Sequence, residues 1–251
     1  MNVKDRSVLI TGASRGLGAA LARELGRKGA RLVLVARDER KLRAVADDIR
    51  AHGGEAYAVP ADVADKESIH PLAGTAAALV GPIDVLVHNA STLGPTPLRP
   101  LLDTECEDLG RVLETNLVGP FRLTRALAGS MAMRRTGLVV HVSSDASIAA
   151  YPEWGAYSVS KAALDHLGRI WAAELDLHGV KFISVDPGEM DTDMHEAALP
   201  GSDRHALTAP AEVATRIAGM IDALHGIKNG ARLEAWAWKE EGATAAGRLA
   251  S

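Results

Sequence analysis

Tyr157 and Lys161, four residues apart in Tyr157-Ser158-Val159-Ser160-Lys161, are placed to move a proton together. Positions i and i+4 share a helical face, so the phenol and the ammonium address one ligand. A free phenol has a pKa of about 10, too high for a base near neutrality, and a neighbouring ammonium favours the phenolate. The same phenol can give its proton to an oxygen that gains charge, which is general-acid work. Ser144 follows the aliphatic run Leu138–Ser143. A hydroxyl at the carboxyl end of a sheet strand points into the crevice where doubly wound folds take ligands. From there it can donate to a substrate oxygen as charge develops. Singly, these residues also have plainer readings: Tyr-x-x-x-Lys occurs on exposed helices, and serines at strand ends are ordinarily caps.

A second constellation suits a phosphate. Thr11-Gly12-Ala13-Ser14-Arg15-Gly16-Leu17-Gly18 follows the run Ser7–Thr11 and opens a helical segment. Gly12 permits the tight turn, Gly16 lets backbone approach a pyrophosphate, and Gly18 lets the helix pack on the sheet. The helix start adds free N–H donors and a positive dipole end. Strand before and helix after is the context that a dinucleotide site requires. An acid at the end of the second strand normally holds the ribose hydroxyls of NAD, but here that strand ends Val35-Ala36-Arg37-Asp38. A guanidinium at Arg37 can pair with a 2′-phosphate, and Arg15 can close on it from the glycine loop. The cofactor is therefore expected to be NADP(H). In the competing arrangement both arginines face solvent and Asp38 takes the ribose.

The elements that must hold these groups alternate. Ser7–Thr11, Arg31–Ala36, Ala56–Pro60, Ile83–His88, Leu138–Ser143, Lys181–Asp186 and Arg232–Trp238 read as strands, several of them apolar on consecutive residues. Helical period marks Leu17–Lys28, Glu39–Ala51, Lys66–Val80, Thr104–Arg135, Ala156–His178 and Ala211–His225. Strands apolar on both faces, alternating with helices, predict an α/β fold: one Rossmann-type doubly wound domain over residues 1–251, its seven-stranded parallel sheet flanked by helices. Gly29, Gly53, Gly137 and Gly179 fall where helix ends tolerate a left-handed residue. Trp236 and Trp238 alternate on one face of the last strand, and the alanine-rich tail 239–251 is expected to be loosely held.

The glycine loop has one residue more between its first two glycines than the usual dinucleotide fingerprint. That pattern, Thr-Gly-x-x-x-Gly-x-Gly, with Ser144, Tyr157 and Lys161 in order, resembles the short-chain dehydrogenase/reductase family from Ser7 to about Thr192. The resemblance adds Asn116, in Thr115-Asn116-Leu117-Val118-Gly119, as holder of a water beside Lys161. It also gives Lys161 the nicotinamide ribose hydroxyls, with Tyr157 beside the same ring. Asp62-Val63 resembles the pair on the adenine ring. His88-Asn89-Ala90-Ser91 stands for the usual Asn-Asn-Ala-Gly, with Asn89 steadying the sheet edge. Pro187-Gly188 turns beside the nicotinamide, and Thr192 takes its carboxamide or the pyrophosphate. Asp186 replaces an asparagine and is read as facing solvent.

The implied reaction moves hydride between NADP(H) and a small-molecule carbonyl or alcohol, with Tyr157 as acid/base. Residues 189–210 would form an acidic substrate lid, and Tyr151, Trp154, Met190 and Met194 are pocket candidates. Relatives pair through the helices at Thr104–Arg135 and Ala156–His178, which implies a homodimer or homotetramer. Two rivals keep the fold: a dinucleotide-binding regulator without turnover, and a dehydratase or epimerase that recycles its nicotinamide.

Bulk properties narrow the rest. A net charge of −4 gives no reason to invoke nucleic acid or an anionic membrane. Cys106 is the only cysteine, which excludes an intrachain disulfide and a thiolate cluster. The nine histidines form no His-Glu-x-x-His pair, so no metal is expected, and His141, inside a strand, reads as core. No apolar signal core or membrane-length run is visible, so a cytoplasmic protein is expected.

Overall fold

The computed structural model describes residues 1–238; the tail expected to be loosely held lies outside the described residues. β1 (Ser7–Thr11), β4 (Val85–His88) and β5 (Gly137–Val142) are buried at every position. Strands with no wet face need helices on both sides. Joined by β2 (Arg31–Ala36), β3 (Glu55–Pro60), β6 (Val180–Asp186) and β7 (Ala231–Glu234), they form one sheet in the order β3-β2-β1-β4-β5-β6-β7. Every pairing is parallel.

Successive strand residues face opposite sides, which makes two cores. Val8 and Ile10 join the core covered by α1 (Gly16–Arg27), α2 (Glu39–Ala51) and α8 (Pro210–Asp222). Leu9 joins the core covered by α3 (Ile69–Val80), α5 (Gly119–Met133) and α6 (Gly155–Leu175), where Phe182 is fully buried. The order reverses between β1 and β4, because β2 and β3 extend to one side and β4 starts the other. The carboxyl ends of β1 and β4 therefore bound the crevice where such sheets bind ligands.

Three expectations are corrected. The long helix over Thr104–Arg135 divides into α4 (Cys106–Leu113), a π turn (Glu114–Val118) and α5. β7 stops at Glu234, because its ladder on β6 ends at Asp186 where Pro187 turns the chain away. Trp236 thus lies exposed in a 3-10 turn, and Trp238, just past it, packs on the core. Gly137 is not left-handed; Arg135 takes that conformation at φ 52°, and a Cβ on Gly137 would meet Met131 at 2.7 Å. Gly29, Gly53 and Gly179 have the positive φ expected. Among the described residues, no helix is long and apolar enough to cross a membrane.

Candidate active site

The carboxyl ends of β1 and β4 are stitched together. Asn89 Nδ2 donates to the carbonyls of Thr11 (3.0 Å) and Gly12 (3.1 Å), and the amides of Asn89 and Ala90 donate to Thr11 Oγ1 at 3.1 Å. Gly12 sits at φ 68°, and a Cβ there would meet the Ala90 Cα at 2.8 Å. A Cβ on Gly18 would overlap the Gly12 carbonyl, so these two glycines serve close packing. Gly16, at φ 54°, differs: its nearest neighbour would be Thr192 Cγ2 at 3.5 Å, leaving the loop open toward the crevice. Leu17, buried, anchors the start of α1, and Ser14 lies half-buried in the loop.

The opening turn of α1 has no side-chain cap and no acid, whereas Asp38 caps α2 and Thr192 caps α7 (Asp193–Ala198). Uncapped N–H groups at a helix start, beside an open glycine, fit a pyrophosphate. The arginines lie apart. Arg15 Nη1 reaches Asp193 Oδ2 at 2.7 Å, and Arg37 Nη1 lies 3.7 Å from Asp62 Oδ2. Asp38 accepts from the Lys41 amide at 3.0 Å, which commits it to its helix. Asp62 accepts from the Ala64 amide, and Val63 is buried with its carbonyl against Gly119.

Tyr157, in the first turn of α6, is 8% exposed and packs edge-on against Trp154 at 5.8 Å between centroids. Burial pushes its pKa up to about 12; the nearby Ser144 hydroxyl draws it down, the carboxylates of Asp186 and Asp145 raise it, and the Ser91 hydroxyl draws it down. Lys161 Nζ lies 5.5 Å from the centroid of that ring and donates to the Val142 carbonyl at 2.7 Å. Burial lowers the lysine to about 8, against the pull of Asp165. The ammonium is thus near the phenol, but in the chain by itself desolvation outweighs it.

Ser144 Oγ donates to Asp145 Oδ1 (2.9 Å), and the other Asp145 oxygen accepts from Tyr151 (2.7 Å). Asn116 lies buried in the π turn. Its Nδ2 donates to the Thr92 carbonyl and to Ser160 Oγ, both at 2.9 Å. Its Oδ1 accepts from the Thr92 amide (2.8 Å) and Ser91 Oγ (3.2 Å). All four hydrogen-bonding positions of that side chain are thus taken.

Above Tyr157 opens a cleft of about 330 Å3, lined among others by Tyr151, Trp154, Met190 and Met194, with Pro187, Gly188 and Thr192 on its wall. The excursion over it is pinned at its base: Asp191 N donates to the Thr208 carbonyl (3.0 Å) and Thr208 N to that of Glu189 (3.1 Å). His88 and His141 lie buried with centroids 5.3 Å apart, and burial lowers both, His141 to about 4. Neutral and away from the cleft, they are core residues. Among the described residues no group of three His, Cys, Asp or Glu side chains could hold a metal.

Three residues of this centre escaped the sequence reading. Ser91 brings a hydroxyl to the phenol, Asp145 ties Ser144 to Tyr151, and Arg232 pairs with Asp186. Asp186 is buried rather than solvent-facing. The one signal was Arg232 at the start of the predicted last strand, a charge that, once buried, requires a partner.

A family model described as short chain dehydrogenase matches residues 6–202. A short chain dehydrogenase of Pseudocercospora fijiensis (strain CIRAD86) is 34% identical over 195 residues, 76% of this chain but only 62% of that protein. A metagenomic short-chain oxidoreductase solved in complex with NADP is 34% identical, with a TM-score of 0.75 over 88% of this chain and 91% of its own. A 7α-hydroxysteroid dehydrogenase complexed with NADH and 7-oxo glycochenodeoxycholic acid is 25% identical, with a TM-score of 0.86 over 93% of each chain.

Proposed function

The chain belongs to the short-chain dehydrogenase/reductase family, and we propose that it is an NADP(H)-dependent oxidoreductase acting on a small-molecule carbonyl/alcohol pair. The observation that carries this reading is that Ser144 and Tyr157 line a cleft next to the open glycine loop, with Lys161 buried beside the phenol ring, its Nζ 5.5 Å from the centroid. A bound nicotinamide supplies or accepts the hydride and, when oxidised, brings a positive charge.

The chain's own groups do the rest. Gly16, Ser14 and the uncapped start of α1 would receive the phosphates; Asp62 and Val63 would lie on the adenine ring, Ala90 beside the ribose, Pro187 and Gly188 beside the nicotinamide, and Thr192 at its carboxamide or the pyrophosphate. Lys161 holds the ribose. Tyr157, neutral at physiological pH, donates its proton to the substrate oxygen during reduction. Ser144 turns its hydroxyl from Asp145 to that oxygen and stabilises the developing charge. Asn116 keeps the Ser91–Thr92 segment against α6, so that the proton path behind the phenol holds its shape.

NADP over NAD is supported by Ala36 where an acid would stand, by Asp38 being occupied as a cap, and by the free reach of Arg37, which is 78% exposed. The NADP complex of the metagenomic relative supports this reading. Residues 189–210 are assigned as the substrate lid. A homo-oligomer built on α5 and α6 is supported by Phe121, 38% exposed and stacked on Trp171 at 5.9 Å.

The test follows NADPH and NADH oxidation at the reduced-nicotinamide absorbance against aldehydes, ketones and quinones. NADPH-dependent turnover that vanishes in Tyr157→Phe is expected; turnover retained in that variant would overturn the mechanism.

A further inference from the structure

A buried ion pair stands directly behind the proposed catalytic residues. Arg232, in the middle of β7, has a side chain 15% exposed. Its Nη2 donates to Asp186 Oδ2 at 2.8 Å and to the main-chain carbonyl of Ser144 at 3.0 Å. Its Nε lies 3.4 Å from Asp165 Oδ2, and its Nη1 lies 3.5 Å from Glu234 Oε1. Asp165, on α6, accepts from the hydroxyls of Ser143 and Ser147 at 2.7 Å each. Asp186 uses its other oxygen to accept from the Gly188 amide at 3.0 Å. One guanidinium thus ties the carboxyl ends of β5, β6 and β7 to α6 and brackets the turn that carries Ser144.

We propose that Arg232 is a positioning residue for proton transfer at Tyr157: it fixes the Ser144 main chain and neutralises the Asp186 carboxylate that faces the phenol. This rests on the reading of Ser144 and Tyr157 given above. The groups around the phenol come from several elements. Ser144 and Asp145 approach from the turn after β5, Ser91 from the segment after β4, Asp186 from the end of β6, and Lys161 from α6 itself. Glu189 and His195 line the same cleft, and the Met194 and Ala198 side chains pack beside the ring without charge. Asp186 and Asp145 both oppose ionisation of the phenol. With Arg232 in place, Asp186 is half of a pair; without it, a buried net charge faces Tyr157 and resists phenolate further.

The test compares Arg232→Met, Asp186→Asn and the double variant in the pH profile of alcohol oxidation. Arg232→Met should move the rising limb, on which Tyr157 loses its proton, up by about one pH unit and cut kcat on that limb about tenfold, with NADP affinity unchanged. Adding Asp186→Asn should return the limb to its original pH. An unmoved limb with kcat falling evenly at every pH would overturn the proposal, as would a double variant displaced as far as the single one.

The chain has three tyrosines, so tyrosine labelled with 13C at Cζ gives three resonances, and Tyr157→Phe identifies that of Tyr157. Its alkaline titration reads the phenol without turnover. If Tyr157→Phe stays active, the catalytic reading fails while this resonance still decides the effect of Arg232 on the phenol. Should Arg232→Met not fold, Arg232→Lys keeps the charge and should keep the limb; a limb displaced in that variant also counts against the proposal.

Discussion

Lys161 lies beside Tyr157, with Nζ 5.5 Å from the ring centroid, yet its hydrogen bond goes to the Val142 carbonyl at 2.7 Å. The ammonium is held by the end of β5 rather than by its presumed partner. Its position beside the ring is therefore fixed by the sheet. That arrangement explains why burial, which raises the phenol to about 12 and lowers the amine to about 8, dominates both groups.

Burying that ammonium has a stability consequence with a definite sign. A lysine lowered from 10.5 to about 8 disfavours folding fully below pH 8, and the penalty disappears as pH rises from about 8 to 10.5. Its upper bound is roughly 3 kcal/mol, less about 1 kcal/mol for the bond to Val142. Lys161→Met should therefore melt higher than the parent at pH 7, lose that advantage by about pH 10, and be inactive. Calorimetry across this range checks it; an advantage that grows with pH would refute the buried-charge account.

Arg37→Asp should weaken NADPH binding about 10- to 100-fold, as loss of a charge-assisted hydrogen bond implies, and leave NADH nearly unchanged. Arg15→Ala should cost less, because Arg15 must first leave Asp193, although an exposed ion pair of that kind contributes only about 0–1 kcal/mol. Fluorescence titration with each cofactor separates the two arginines. An equal loss for NADPH and NADH in Arg37→Asp would remove it from the 2′-phosphate.

The seven-stranded parallel sheet was legible because the strand runs are apolar on both faces and the helices between them are long. The proximity of Ser144, Asn116, Tyr157 and Lys161 and the turn of the glycine loop could be anticipated from residue types at set spacing together with the family resemblance. Pairings between distant segments were not legible. Nothing near Asp186 announces Arg232, 46 residues away, and nothing near Arg15 announces Asp193. The ends of elements also escaped: the π turn at Glu114–Val118 keeps the helical apolar period, and β7 ends because its partner strand turns away.

Asn116 makes four hydrogen bonds from a buried side chain, two of them to the main chain of Thr92. Asn116→Ala strands those groups away from water and should cost about 2–3 kcal/mol, since each unsatisfied buried group is expensive. For a domain of this size that corresponds to a Tm lower by roughly 4–12 °C. Activity should fall further than stability explains, when measured well below the new Tm. Parental activity at that temperature would make Asn116 a purely structural residue.

Ser91 lies near the phenol and donates to Asn116 Oδ1 at 3.2 Å. Its hydroxyl draws the Tyr157 pKa down, whereas both nearby carboxylates raise it. Removing the hydroxyl in Ser91→Ala should therefore move the rising limb of alcohol oxidation to higher pH and slow oxidation near pH 8 a few-fold, because less phenolate is present at a given pH. Carbonyl reduction, which needs the neutral phenol, should change less, and NADPH affinity should stay constant. A pH profile in both directions checks this. Equal slowing in both directions, with no movement of the limb, would mean that Ser91 only packs against Asn116 and does not tune the phenol.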